Sequence, residues 1–261
     1  IGYPTLEAQQ KEFLDHFWDR SDIVIDAEPR VQQAVRWNLF QLCQASARAE
    51  TTGIPAKGLT GQAYEGHYFW DTEVYVVPFL TFTEPRIARN LLRFRHSMLD
   101  KARERARELS EDGALFPWRT INGDEASSYY AAGTAQYHIN ADIAHAIKHY
   151  VQTRKDYDLL AEVGVEILVE TARMWNNLGF FSPDTGFFHI HGVTGPDEYT
   201  TVVNDNFFTN LMARSNLRFA AETVQWLKAE RPQAYSHLIH ETDVRDHEVE
   251  RWLRAADKMY I

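Results

Sequence analysis

Apolar residues recur along this chain at intervals of three and four, the spacing of one face of an α-helix. Val31, Val35, Leu39 and Leu42 form such a face within residues 28–48. Pro85 suits the first turn of the next long helix, where Ile87, Leu91, Phe94 and Met98 make the apolar stripe and Arg and Glu crowd the opposite side. The signal returns over 137–150 with Ile139, Ile143, Ile147 and Tyr150, and over 157–175 with Leu160, Val163, Ile167 and Met174. Segments 206–226 and about 243–257 complete a set of six to eight helices with no convincing alternation of strands. The pattern predicts an all-α domain over 28–261, preceded at 1–27 by a leading helix and linker.

The connections are unequal. The link between 150 and 157 is short, whereas 49–69, 109–135 and 179–205 are long and rich in Gly, Pro, Asp and aromatic residues. Long loops in a compact domain are usually functional or disordered, and Trp118, Phe187, Phe188 and Tyr199 are too many aromatics for disorder. Helical hairpins whose long loops gather at one end would build a site there.

Composition narrows the class. At 261 residues the chain can bury a substantial core, and 44% hydrophobic with 25% charged residues is ordinary for a globular protein. A formal charge of −10 argues against nucleic-acid or anionic-lipid partners. No apolar run approaches the ~20 residues needed to cross a bilayer. Cys43 is the only cysteine, which removes a disulfide framework and a cysteine metal cluster from consideration. Seven Trp, 12 Tyr and 15 Phe supply core and, for some, faces on which sugar rings stack.

The third long loop runs through Phe187-Phe-His-Ile-His191, which reads as a brief strand, to a Gly195-Pro196 turn presenting Asp197 and Glu198. A carboxyl between Pro196 and Tyr199 in an aromatic loop would be partly desolvated, the setting in which a general acid keeps its proton. In the first loop, Trp70 beside Asp71 suits a pyranose: a ring face for its C–H side and a carboxylate for two hydroxyls. The second loop offers Trp118 and then Asp124-Glu125. A helix-capping turn and a core Trp are the plainer readings of the same residues. His189 and His191, two apart with Asp197 and Glu198 nearby, also admit a zinc site, but the spacing is loose and His-Glu-x-x-His is absent, so no metal is expected. The glycines match neither a P-loop nor a dinucleotide fingerprint.

Five segments in order, Gly58–Glu73 with His67-Tyr-Phe-Trp-Asp-Thr-Glu73, Ala114–Trp118, His138–Ala144, Gly195-Pro-Asp-Glu-Tyr199 and Asn204–Ala213, resemble the catalytic domain of glycoside hydrolase family 65, the inverting disaccharide phosphorylases. The resemblance implies an (α/α)6 barrel, incomplete here because the family's barrel continues past the point matching Ile261 and carries an N-terminal β-sandwich. It implies Glu198 as general acid, with Trp70, Asp71 and Trp118 holding glucose, and His67, Tyr64 and Glu125 as further substrate contacts. The implied reaction is phosphorolysis of a maltose-, trehalose- or kojibiose-type disaccharide to β-glucose 1-phosphate, with inorganic phosphate as co-substrate and no cofactor. A trehalase-like hydrolase and a non-catalytic sugar-binding module are the alternatives. The family tends to form homodimers, a cytoplasmic location follows from the sugar-phosphate product, and this stretch alone is expected to be inactive.

Overall fold

A computed structural model describes residues 2–47, 49–127 and 130–261. Arg48, at the end of the first expected helix, and Ser128 and Tyr129, within the second long loop, lie outside them. The helices are α1 (Tyr3–Ser21), α2 (Pro29–Ser46), α3 (Val77–Thr83), α4 (Pro85–His96), α5 (Leu99–Glu108), α6 (His138–Arg154), the single turn α7 (Tyr157–Leu159), α8 (Val165–Leu178), α9 (Phe207–Glu230), α10 (Pro232–Thr242) and α11 (Asp246–Lys258). Proline opens α2, α4 and α10, where its missing N–H leaves no helix bond unmade. Asn206 caps α9 by accepting from the Thr209 amide at 3.1 Å.

Helix α9 is the hub, packed against α6, α8, α10 and α11. Its Ala213, Ala220 and Ala221 are fully buried and let neighbours approach closely, while Asn216 Oδ1 accepts from the Trp175 indole at 3.0 Å. Trp175, Trp252, Phe116 and Phe188 are the largest apolar side chains sealed in the core. The architecture is all-helical and forms part of a helical barrel. A minimal antiparallel ribbon pairs β1 (Phe180–Phe181) with β2 (Phe188–His189). The expected strand over 187–191 is thus shorter than its apolar run. The helix from Pro85 also stops at His96, and α5 starts afresh at Leu99.

Two features position the site. A π-helical turn, Thr72–Val76, precedes α3 directly after Trp70 and Asp71. Widened turns of this kind place backbone where a regular helix would not. Beneath it Arg95, fully buried, grips Glu73 through two bonds of 2.7 and 2.9 Å, and the Tyr68 hydroxyl donates to the same carboxylate at 2.6 Å.

Candidate active site

The three long loops meet at one end of the helices and are stitched by backbone bonds. Tyr68 and Thr120 exchange N–H···O bonds of 2.7 and 3.2 Å, joining the first loop to the second. Thr194 N donates to Ala135 O at 3.0 Å, joining the third loop to the turn that leads into α6. Within the third loop Val193 pairs with Val203, and Gly195 N donates to Thr200 O at 2.9 Å, which closes the turn bearing Asp197 and Glu198. Glycine suits the position, because a Cβ on residue 195 would stand 2.3 Å from Thr200 Oγ1 and force that side chain to shift.

These loops and the side of α2 enclose a cleft of about 910 Å³. Trp70, Asp71, Tyr64, Trp118 and Glu198 line it together with Lys57, Phe69, Tyr75 and Asp197. Trp118 is held edge-on against Phe69 with ring centres 5.4 Å apart, and Tyr64 meets the same ring at 5.2 Å. Tyr64 and Glu65 adopt left-handed backbone (φ 63° and 53°), and Tyr64 lines the cleft from that turn. Partial burial, reinforced by the charges of Glu73 and Glu198, holds the Asp71 carboxyl above its ordinary pKa.

The two remaining expected contacts lie elsewhere. His67 is not on the cleft wall; its Nδ1 lies 2.8 Å from Tyr64 O and 3.1 Å from Arg119 Nη2. Glu125 is turned inward, accepting from the amides of Trp118 (2.7 Å) and Arg119 (3.2 Å), from Ser127 Oγ, and pairing with Arg105 at 2.7 Å. Its carboxylate is consumed in fixing the Trp118 backbone, so it acts on the site through Trp118. The aromatic shelter expected around Glu198 is also absent: Glu198 is exposed and Tyr199 is 97% exposed. Glu198 is steadied instead by Gln136, whose Nε2 donates to its Oε1 at 2.8 Å. Gln136 gave no sequence signal beyond its place just before the His138–Ala144 segment.

The paired histidines do converge, but on Asp205 rather than on Asp197 or Glu198. His189 Nδ1 lies 2.9 Å and His191 Nε2 3.4 Å from Asp205 Oδ2. The three could hold a metal ion by distance, with one ligand atom from each within 4.8 Å of the others. Asp205 is already engaged, however, accepting from Ile190 N and Asn210 Nδ2 through its other oxygen. Partial burial works against its charge, yet the bonds from His189, Asn210 and Ile190 outweigh it and keep the Asp205 pKa below its usual value.

Loops of a helical barrel that gather two tryptophans and several carboxylates around one cleft define a carbohydrate-active domain. Residues 36–261 match the glycosyl hydrolase family 65 central catalytic domain, and the chain belongs to that family. It is 49% identical over its whole length to an α,α-trehalose phosphorylase of Thermoanaerobacter brockii and 50% identical to one of Geobacillus stearothermophilus. A solved structure from the human microbiome, described as a candidate kojibiose phosphorylase, superposes on all of the chain with a TM-score of 0.92 at 33% identity. The chain spans 34% of each of those trehalose phosphorylases and 38% of that structure. Among the described residues no helix is long and apolar enough to cross a membrane.

Proposed function

We propose that the complete protein carrying this chain is an inverting phosphorylase of an α-linked glucose disaccharide, with α,α-trehalose the first substrate to test. The reading is carried by the single cleft that Glu198 shares with Trp70, Asp71, Tyr64 and Trp118. Trehalose comes first because identity to the trehalose phosphorylases is 49–50%, against 33% to the kojibiose-type structure.

Trp70 and Trp118 offer ring faces to the C–H side of a glucosyl unit, and Asp71 accepts from its hydroxyls. Protonated Glu198 gives its proton to the glycosidic oxygen as the bond from C1 to that oxygen breaks. A phosphate oxygen forms the new C1–O bond on the opposite face, so an α-linkage yields a β-phosphate ester and a free sugar. The acidic proton of the new monoester, lost to solvent, balances the one Glu198 takes up again. Phosphate is already an anion, so the attack needs no protein base. An inverting hydrolase would need a second carboxylate to activate water. The cytoplasm, which supplies inorganic phosphate, is the compartment this chemistry suits.

The test is to incubate the complete protein and its Glu198→Gln variant with trehalose, maltose, kojibiose and nigerose, with and without phosphate, assaying glucose 1-phosphate and glucose. Phosphate-dependent glucose 1-phosphate, reduced about 10²–10⁴-fold in the variant, is the expected result. Glucose release indifferent to phosphate would establish hydrolysis instead, and undiminished phosphorolysis in the variant would remove Glu198 from the role of acid.

A further inference from the structure

Behind Glu198 runs a line of polar side chains that the chemistry above leaves unused. Gln136 Nε2 donates to Glu198 Oε1 at 2.8 Å, Gln136 Oε1 meets His138 Nε2 at 3.3 Å, and His138 Nδ1 stands 2.6 Å from Asp142 Oδ2. Gln136 is 2% exposed, and His138 and Asp142 are sealed completely. His138 opens α6 with Asp142 one turn further on, and its ring is clamped edge-on between Trp70 and Phe208 at 4.8 and 5.4 Å.

The fold alone does not require this arrangement. Asp142 Oδ1 is buried without a hydrogen-bond partner, which is costly. Apolar side chains of similar volume would fill the space without that cost. The hydrogen bonds are also directional. Gln136 turns its NH2 toward Glu198, whose Oε1 accepts. The amide oxygen then faces His138, whose Nε2 must carry hydrogen, and the remaining proton is shared between His138 Nδ1 and Asp142. Burial raises the Asp142 pKa, which suits such sharing. In this arrangement the Asp142–His138 pair holds the Gln136 amide with its oxygen inward and its NH2 toward Glu198.

We propose that Gln136, locked by His138 and Asp142, is the positioning residue of the general acid. By donating to Glu198 Oε1 it leaves Oε2 to carry the transferable proton and points that oxygen into the cleft. The same His138 ring braces Trp70, so acid and sugar platform are set against one another by one buried side chain. The inference rests on the reading of Glu198 as the acid.

The test compares two substrates in the complete protein: the natural disaccharide, whose leaving group needs a proton, and α-glucosyl fluoride, whose fluoride departs without one. Gln136→Met keeps the length and removes the donor. Its kcat on the disaccharide should fall about 10–100-fold, with KM little changed, while turnover of α-glucosyl fluoride by phosphate stays near wild type. Asp142→Asn should shift the ratio of the two rates in the same direction. Gln136→Glu, equal in size but unable to donate when ionised, gives the same comparison if the Met variant does not accumulate. Equal losses on both substrates, or no loss on either, would overturn the proposal. Glu198→Gln separates the two levels. If it spares the disaccharide, the acid assignment itself fails; if it selects against the disaccharide while the Gln136 variants do not, the positioning role alone fails.

Discussion

Replacing Arg95 by Met should loosen the floor of the cleft without touching any group that lines it. The guanidinium is 0% exposed and shares two hydrogen bonds, 2.7 and 2.9 Å, with Glu73, which is equally sealed from solvent. It also lies over the Tyr68 ring at 4.6 Å. Burial opposes the Arg95 charge, but the facing Glu73 carboxylate overrides this and raises its pKa, so Arg95 keeps its charge. Removing one member leaves an uncompensated buried charge, which costs about 3–5 kcal/mol. At about 2–4 °C per kcal/mol for a domain of this size, the thermal midpoint should drop by roughly 6–20 °C. The double variant Glu73→Gln/Arg95→Met removes both charges and should be more stable than Arg95→Met alone. Because Glu73 sits two residues beyond Asp71, the single variant should also raise KM for the disaccharide. The measurements are a melting curve by circular dichroism and steady-state kinetics on Arg95→Met, Glu73→Gln, the double variant and the parent. Strictly additive effects, with the double variant the least stable, would show that the ion pair is not the unit that holds this turn.

Other expectations follow from single contacts. Gly195→Ala should lower kcat by about 10²-fold through misplacement of Glu198, with a small change in melting temperature; a stable variant with normal kcat would show that the turn tolerates a Cβ. Trp118→Ala should raise KM for the disaccharide by about tenfold, the cost of a lost aromatic face, read from initial rates. Glu125→Gln should act in the same direction more weakly, because its carboxylate fixes the Trp118 amide at 2.7 Å. For pH, the His96 hydrogen bond, then Arg103, holds the Glu166 pKa at about 2 against an ordinary 4.5. A depressed carboxylate pKa stabilises the fold above the unfolded value, and that stability is lost as pH falls from 4.5 towards 2. Glu166→Gln should therefore flatten the decline of melting temperature over this window; an unchanged slope would assign the acid sensitivity elsewhere.

The helical face patterns were legible because each is local. The stripe through Val31, Val35, Leu39 and Leu42 lies in α2, and those beginning at Ile139 and Leu160 lie within α6 and the α7–α8 segment. Helix α10 carries no legible stripe, since Gln233, Ser236, His237, His240 and Glu241 break any apolar face on so short an element. Helix α3 was hidden because the π turn before it shifts the period of three and four at the point where the loop ends. At the site, Trp70, Asp71, Tyr64, Trp118 and Glu198 stand in separate loops of the sequence, and the fold brings them to one cleft. His67 and Glu125 carry the same types of chemistry, but their hydrogen bonds point to backbone and arginine, a matter of side-chain direction that adjacency in sequence does not encode.

The polar residues beneath the cleft restrict an exposed carboxylate, Glu198, to one direction. Glu198 sits on a six-residue turn that one backbone bond closes, and such a turn by itself permits several directions for a long side chain. What narrows them is a contact with a residue from another element, Gln136, which is buried and cannot move without breaking its own bond to His138. His138 in turn is fixed by Asp142 on the same helix and by the ring of Trp70 from the first loop. The Glu198 side chain is thus tied through Gln136 to the start of α6, one of the helices packed around α9, and its direction does not depend on the Gly195–Thr200 turn alone. Helix α6 thus buries His138, Asn140 and Asp142 in its first turns and Ile143, Ala144, Ala146 and Ile147 beyond them, so its polar, directional contacts lie at the end that faces the cleft.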